Sequence, residues 1–173
     1  TAPLALLPMT TLAPAFAQFR VEISGAGASQ IALGIASFKG EEVAPQKISS
    51  IMQADWARSG AIKSVSLPAG DETMRLDARQ VKGLGADYAL YGSVTRLADG
   101  RFDVRCRLWD VVKNTEIGSQ ALLVLAAELR YAAHRLSDWV YERLTGERGV
   151  ASTRIAYITK SGGGQVGSGS PRY

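Results

Sequence analysis

The sequence predicts an α/β fold of the α+β kind, in which helices pack on a mixed β-sheet. Strands with period-two alternation cluster in the middle of the chain, and amphipathic helical segments flank them. A length of 173 residues suits one domain of ordinary size with appendages. The apolar share of 46% and the charged share of 21% are typical of a globular protein.

The first half of the predicted domain alternates strands and helices. Residues 31–38 are apolar and predict a buried strand, and residues 39–42 predict a polar turn. In the next segment apolar residues recur at helical four-residue steps, and Gly60 follows where a C-terminal cap needs positive φ. Residues 62–67 then predict a strand and residues 77–84 a short helix. The recurring apolar residues of the first helix are Ile48, Met52 and Trp56.

The strongest β signal is a hairpin. Residues 88–97 are apolar and aromatic, and the dipeptide Asp99-Gly100 favours a tight turn. The next strand alternates, which predicts one buried and one solvated face. The buried set is Phe102, Val104, Cys106 and Leu108, and the solvated set is Arg101, Asp103, Arg105 and Arg107. Asn114 indicates a second turn, and residues 116–125 predict a third strand of this meander.

A long amphipathic helix is predicted over residues 126–144, and Thr145-Gly146 supplies its end. Its apolar residues at three- and four-residue steps are Leu129, Ala133, Leu136, Val140 and Leu144. Because the antiparallel strands are segregated along the chain, we expect the helices on one face of the sheet.

The front of the chain is typical of the end of a signal peptide. Residues 2–17 carry no charge and end in Ala15-Phe16-Ala17, whose small outer residues suit cleavage between Ala17 and Gln18. The basic n-region is missing, so we expect a remnant of the signal over residues 1–17. No later apolar stretch approaches the ~20 residues of a membrane span, so the mature product is expected outside the cytoplasm.

Behind this site lies a short segment that alternates apolar and charged side chains, which predicts a strand. Gly, Ala and Ser dominate residues 24–29, which predict a flexible joint. A strand at a free end can pair with its own sheet or with the edge of a neighbouring protein's sheet. The candidate partner-binding residues are Gln18, Phe19, Arg20, Val21, Glu22 and Ile23.

The predicted organisation has five parts. They are a signal remnant (1–17), a mobile strand with its glycine joint (18–30), a folded domain (31–148), a linker with one further strand (149–160) and a Gly/Ser-rich tail (161–173).

Catalytic chemistry finds little support in the sequence. His134 is the only histidine and lies in the middle of a predicted helix, and Cys106 falls on the buried set of a strand. No glycine motif continues into a phosphate-binding loop, so no cofactor is expected. No metal is expected either, because one His and one Cys cannot form a zinc site without carboxylates, and the Asp and Glu residues show no ligand-like spacing around them. The carboxylates Asp99, Asp103 and Asp110 are better explained by turns and a solvated face. We therefore expect no enzyme. A hydrolase using His134 is a remote alternative.

A net charge of +4 and a pI near 9.4 leave a nucleic-acid-binding module as the main alternative. Its surface would be the stripe of Arg96, Arg101, Arg105 and Arg107 on the predicted hairpin. We expect no aromatic residue to be interleaved on that face, so bases would have no platform for stacking. Lys and Arg elsewhere are scattered among Asp and Glu.

Several segments resemble the amino-terminal domain of the TolB family, in order, from about residue 19 to residue 160. They are GADYALYGSV at 85–94, DVRCRLWDV at 103–111, HRLSD at 134–138, LTGERG at 144–149 and TRIAYI at 153–158.

The resemblance implies a periplasmic, monomeric component of the Tol-Pal system, which maintains outer-membrane integrity and constriction at division. In that family an α/β domain precedes a six-bladed β-propeller that binds Pal, and a mobile N-terminal strand binds the C-terminal domain of TolA. The corresponding strand would be residues 18–23. Only the first propeller strand is present, so the Pal-binding surface would be absent.

Two positions depart from the family pattern. Cys106 and Ala151 stand where bulkier residues are expected. We expect Ala151 to weaken the contact between the domain and a propeller.

Overall fold

A computed structural model of the protein describes residues 30–153, which contain one five-stranded mixed sheet. The strand order is β2-β1-β3-β4-β5, with β1 parallel to β2 and β3, and with β4 antiparallel to β3 and β5. The mixed sheet with packed helices confirms the predicted fold class. The strands are β1 (Ile31–Ile35), β2 (Ile62–Ser66), β3 (Tyr88–Arg96), β4 (Phe102–Asp110) and β5 (Thr115–Val124).

Three α-helices accompany this sheet: α1 (Ile48–Ser59), α2 (Ala78–Gly83) and α3 (Leu129–Thr145). The predicted ends of the long helices are confirmed, because Gly60 and Gly146 adopt φ of 71° and 77° and donate their N–H groups to the last helical turns. The long helix begins later than predicted, since residues Ala126–Glu128 form a 3-10 turn before it.

The main core lies between the sheet and the pair α1 and α3. The helices meet at Trp56, which is 1% exposed and donates from Nε1 to the carbonyl of Ser137 over 3.2 Å. The predicted apolar faces of α1, α3 and β4 all contribute to this core. Its members include Ile48, Met52, Trp56, Phe102, Val104, Cys106, Leu108, Leu129, Ala133, Leu136 and Val140.

The expectation that all helices lie on one face is wrong for α2. Val81 of α2 belongs to a second cluster with Ala89 and Tyr91 of β3, whereas Leu90 between them faces the main core. Neighbouring strand residues point to opposite faces, so α2 covers the other side of the sheet. The cause is the parallel half of the sheet, which is buried on both faces.

The turn predicted over residues 39–42 is not simply polar and solvated. Glu41 is 4% exposed, and its carboxylate accepts from the hydroxyl of Ser49 over 2.7 Å and from the backbone N–H of Ser49 over 3.1 Å. Lys47, at the N-cap of α1, gives no side-chain cap. Glu41 therefore satisfies the first turn of α1 from outside the helix.

The first strand is also shorter than predicted. β1 ends at Ile35, and the chain then makes isolated parallel bridges from Phe38 to Gly70 and from Lys39 to Ser93. The hairpin between β3 and β4 is confirmed, with Gly100 at φ of 83°.

Candidate functional site

The predicted partner-binding segment, residues 18–23, lies outside the described residues, as do the signal remnant, the glycine joint of residues 24–29, the predicted propeller strand and the tail. The structure does show where the described chain begins. The side-chain amide of Gln30 donates to the carbonyl of Gly60 over 2.9 Å, and the N–H of Ile31 donates to the carbonyl of Ala61 over 2.9 Å. The start of β1 is thus fixed beside the C-terminal end of α1.

A cleft of about 520 Å³ opens beside the same end of α1. Its walls are the C-terminal half of α1, the middle of α3 and the segment that follows α3. Aromatic and charged side chains both line it, so the cleft suits a mixed polar and apolar surface. Lining residues include Asp55, Trp56, Arg58, Tyr141, Arg148 and Ala151.

The segment after α3 is held by backbone contacts. The carboxylate of Asp138 accepts from the N–H of Ala151 over 2.7 Å and from the N–H of Ser152 over 2.8 Å. The side chain of residue 151 is not part of this attachment. A weakened contact between Ala151 and a propeller stays a prediction, because the described residues include no propeller.

The predicted arginine stripe is wrong for Arg96, which is paired in register with the core residue Phe102 and so lies on the opposite face of the sheet from Arg105 and Arg107. The other three arginines have carboxylate partners. The guanidinium of Arg101 lies 2.7 Å from Asp99, that of Arg105 lies 2.8 Å from Asp103, and Arg107 lies 3.5 Å from Glu116. The hydrogen bond that Arg105 donates to Asp103 raises the pKa of Arg105, and the one that Arg101 donates to Asp99 lowers the pKa of Asp99. Much of the positive field of this face is therefore cancelled locally.

The expectation that no aromatic residue lies on that face is wrong. Trp109 of β4 continues the alternation of Arg105 and Arg107, and the guanidinium of Arg107 sits 5.9 Å from the centre of the Trp109 ring. The sequence carried this signal, since residue 109 is two positions beyond residue 107 on the same strand. The ring is half-buried and paired with Arg107 in a cation–π contact, so it is not presented to a base.

The single histidine joins the two long helices. His134 Nδ1 lies 2.7 Å from Oδ2 of Asp55, whose other oxygen accepts from Arg58 over 2.9 Å. The thiol of Cys106 is 1% exposed, and burial raises its pKa to about 12, so it stays protonated at neutral pH. These positions give the two groups structural roles.

The three carboxylates considered for acid chemistry are similarly occupied. Asp99 and Asp103 pair with arginines on their own hairpin. Asp110 is 6% exposed and accepts from the N–H of Lys113 over 2.8 Å, which lowers its pKa. Asp110 thus closes the turn between β4 and β5 and is more buried than a solvated face implies.

Residues 30–153 contain no cluster of three or more His, Cys, Asp or Glu side chains arranged to hold a metal ion. Across this same range, none of the helices combines the length and the apolar character that crossing a membrane requires.

Comparison with known proteins gives the family. The family model of the TolB amino-terminal domain matches residues 19–117. A protein of a Polaromonas species named Tol-Pal system protein TolB is 55% identical over 152 residues, which cover 87% of this chain and 36% of that protein. The protein of the same name from Albidiferax ferrireducens is 49% identical over 160 residues, which cover 91% of this chain and 38% of that protein.

A solved structure agrees with the described fold. The crystal structure of TolB from Acinetobacter baumannii superposes with a TM-score of 0.62 at 31% identity, and the match covers 71% of this chain and 30% of that one. The chain spans about a third of the length of the curated relatives that it matches. The chain belongs to the TolB family and carries the fold of its amino-terminal domain.

Proposed function

We propose that this chain is a protein-interaction component of the Tol-Pal system that acts in the periplasm and has no catalytic activity of its own. Its family membership supports the proposal, together with the name Tol-Pal system protein TolB that its relatives carry. His134 is bonded to Asp55 and Cys106 is buried, which is consistent with a role that depends on surfaces instead of reacting groups.

The proposed contact with TolA is strand addition by residues 18–23. Phe19, Val21 and Ile23 would supply the apolar face of the added strand, while Arg20 and Glu22 would adjust the charge preference. The observation that carries this proposal is the start of the family match at Phe19, the second residue after the predicted cleavage point. The alternating segment therefore falls within the region that the family shares.

The fixed start of β1 supports the same proposal. Because Gln30 and Ile31 are bonded to Gly60 and Ala61, residues 24–29 would be the joint between the domain and the added strand. These six residues are all Gly, Ala or Ser, a composition that favours a flexible linker.

The link to Pal is proposed for the longer family protein, because this chain spans about a third of its relatives. Coupling TolA to Pal would then maintain the outer membrane and its constriction at division. The domain described by residues 30–153 would hold the TolA-binding strand at one end of that assembly.

Deletion of residues 18–23 tests the TolA contact. In a chain that starts at Gln18, we expect the deletion to abolish binding to the TolA C-terminal domain, measured by calorimetry, and to leave the thermal transition unchanged. A matched variant, Val21→Pro, removes one backbone donor and should weaken binding strongly, whereas Arg20→Ala should weaken it slightly. Undiminished binding after the deletion would refute the proposed contact.

The alternative, a nucleic-acid-binding module, requires the arginine face of β4. The ion pairs of these arginines with Asp103 and Glu116 argue against this alternative, as does the pairing of the half-buried Trp109 ring with Arg107, while the net charge of +4 is in its favour. It predicts binding that falls steeply with salt and is lost in the charge reversal Arg105→Glu with Arg107→Glu. We expect no salt-sensitive binding to single-stranded or double-stranded oligonucleotides.

A further inference from the structure

A short irregular segment, residues 146–153, leads from the end of α3 to the last described residue. Asp138 lies one residue after Ser137, whose carbonyl accepts from Trp56, and so belongs to the rigid helix pair. Each of its two carboxylate oxygens accepts from a different backbone amide, Oδ1 from Ala151 and Oδ2 from Ser152. Charge-assisted hydrogen bonds of this two-pronged kind fix direction as well as distance.

Gly149 permits this attachment. A Cβ atom at this position would lie 2.6 Å from the Cα of Asp138 and would collide with its carboxylate as well. Real Cβ atoms do not approach a backbone carbon so closely, so any other residue would push the segment away from α3. The close approach and the two hydrogen bonds therefore depend on each other.

The segment closes on itself just after this contact. The hydroxyl of Thr153 donates to the carbonyl of Val150 over 2.6 Å, and the backbone N–H of Thr153 donates to the same carbonyl over 3.2 Å. Residues 150–153 are thus a compact turn, attached to α3 through the amides at its centre.

We propose that Asp138 and Gly149 form a clasp that fixes the direction in which the chain leaves this domain. The turn of residues 150–153 is then held in one orientation relative to α3. The side chain of residue 151 is not needed for the clasp, which explains how Ala151 is accommodated there. The clasp is independent of the proposed TolA contact, which involves the other end of the chain.

The first test compares Asp138→Ala with the wild-type chain. We expect tryptic cleavage after Arg148, followed by mass spectrometry, to become roughly tenfold faster or more, since two charge-assisted bonds are lost. Amide exchange at Ala151 and Ser152 should accelerate by a similar factor. Exchange at buried strand residues such as Val104 and Leu108 should change much less, because the core of the domain is untouched.

The second test asks about direction. Residual dipolar couplings of the amides of residues 151–153 should fit one orientation relative to α3 in the wild-type chain. In Asp138→Ala they should shrink toward zero while the couplings of α3 itself persist. If Asp138 contributed only to the stability of the domain, the orientation of these amides would be the same in Asp138→Ala as in the wild-type chain.

Two further variants make the tests decisive. Gly149→Ala should reproduce the effect of Asp138→Ala without removing an acceptor, and the double variant should be little worse than either one. Glu142→Ala, one helical turn beyond Asp138 on α3, should behave like the wild type. The clasp is refuted if Asp138→Ala leaves cleavage and couplings unchanged, or if exchange in the core strands rises as much as exchange at Ala151.

Discussion

Carboxylates act differently on the two sides of the sheet. On the side covered by α1 and α3, Glu41 is buried and bonds the hydroxyl and backbone amide of Ser49. On the strand face that carries Arg105, Asp103 pairs with a guanidinium whose side chain is 56% exposed. Water competes for the second contact and not for the first, so similar distances carry different energies.

This contrast shows which carboxylate contacts matter to the fold. Replacing a buried acceptor leaves donors without partners in a place that water does not reach. An exposed pair that is broken is simply hydrated again. The contacts on the helix side should therefore govern stability, while those on the arginine face govern the charge that the surface presents to partners.

The largest expected effect is that of Glu41→Ala. Because the backbone N–H and the hydroxyl of Ser49 both lose their acceptor at the start of α1, we expect the free energy of unfolding to fall by about 3 kcal/mol. Urea denaturation at pH 7 measures this change in the free energy of unfolding. Glu42→Ala, at the exposed neighbouring position, is the matched control and should change stability by less than about 0.5 kcal/mol. Equal effects in the two variants would contradict the contrast.

The sequence predicted what depends on near neighbours in the chain. The four-residue spacing in α1 and α3, the glycine that ends each of these helices and the alternation of β4 are all local patterns, and the structure has them. The family followed from segments such as residues 85–94, because short runs at fixed spacing are specific even when no catalytic motif is present.

The contacts that were missed join residues whose pairing no local pattern encodes. Glu41 meets Ser49 across a turn, His134 meets Asp55 from a different helix, and Asp138 meets the amide of Ala151. A backbone N–H donor is present in every residue except proline, so the residue type at Ala151 gives no sign of this contact. The face of the sheet that α2 covers depends on which strands lie side by side. The order of the elements along the chain does not determine that arrangement.

The next prediction concerns an exposed ion pair and how its contribution to stability depends on pH. Lys39 donates to Asp71 over 2.8 Å, and this bond, with those from Thr73, lowers the pKa of Asp71 from 3.8 to about 2. A lowered pKa favours the folded state above pH 3.8, and that contribution is lost as the pH falls from 3.8 through about 2.

Lys39→Ala should raise the pKa of Asp71 toward 3.8 without restoring it fully, since the bonds from Thr73 remain. Carboxyl carbon chemical shifts in an NMR titration report this change directly. Stability at pH 7 should barely move, because the Lys39 side chain is 71% exposed and the pair is screened. An unchanged pKa would mean that Thr73 alone accounts for the shift.

The smallest expected effect is that of Arg105→Ala. The variant removes the partner of Asp103, yet both groups can be hydrated, so the midpoint of urea denaturation should stay within experimental error. Added salt should make no difference, because little interaction energy is present to be screened. A loss comparable to that of Glu41→Ala would show that the arginine face contributes to the fold as the helix side does. With stability unchanged, any loss of partner binding in this variant can be attributed to the charge of that face alone.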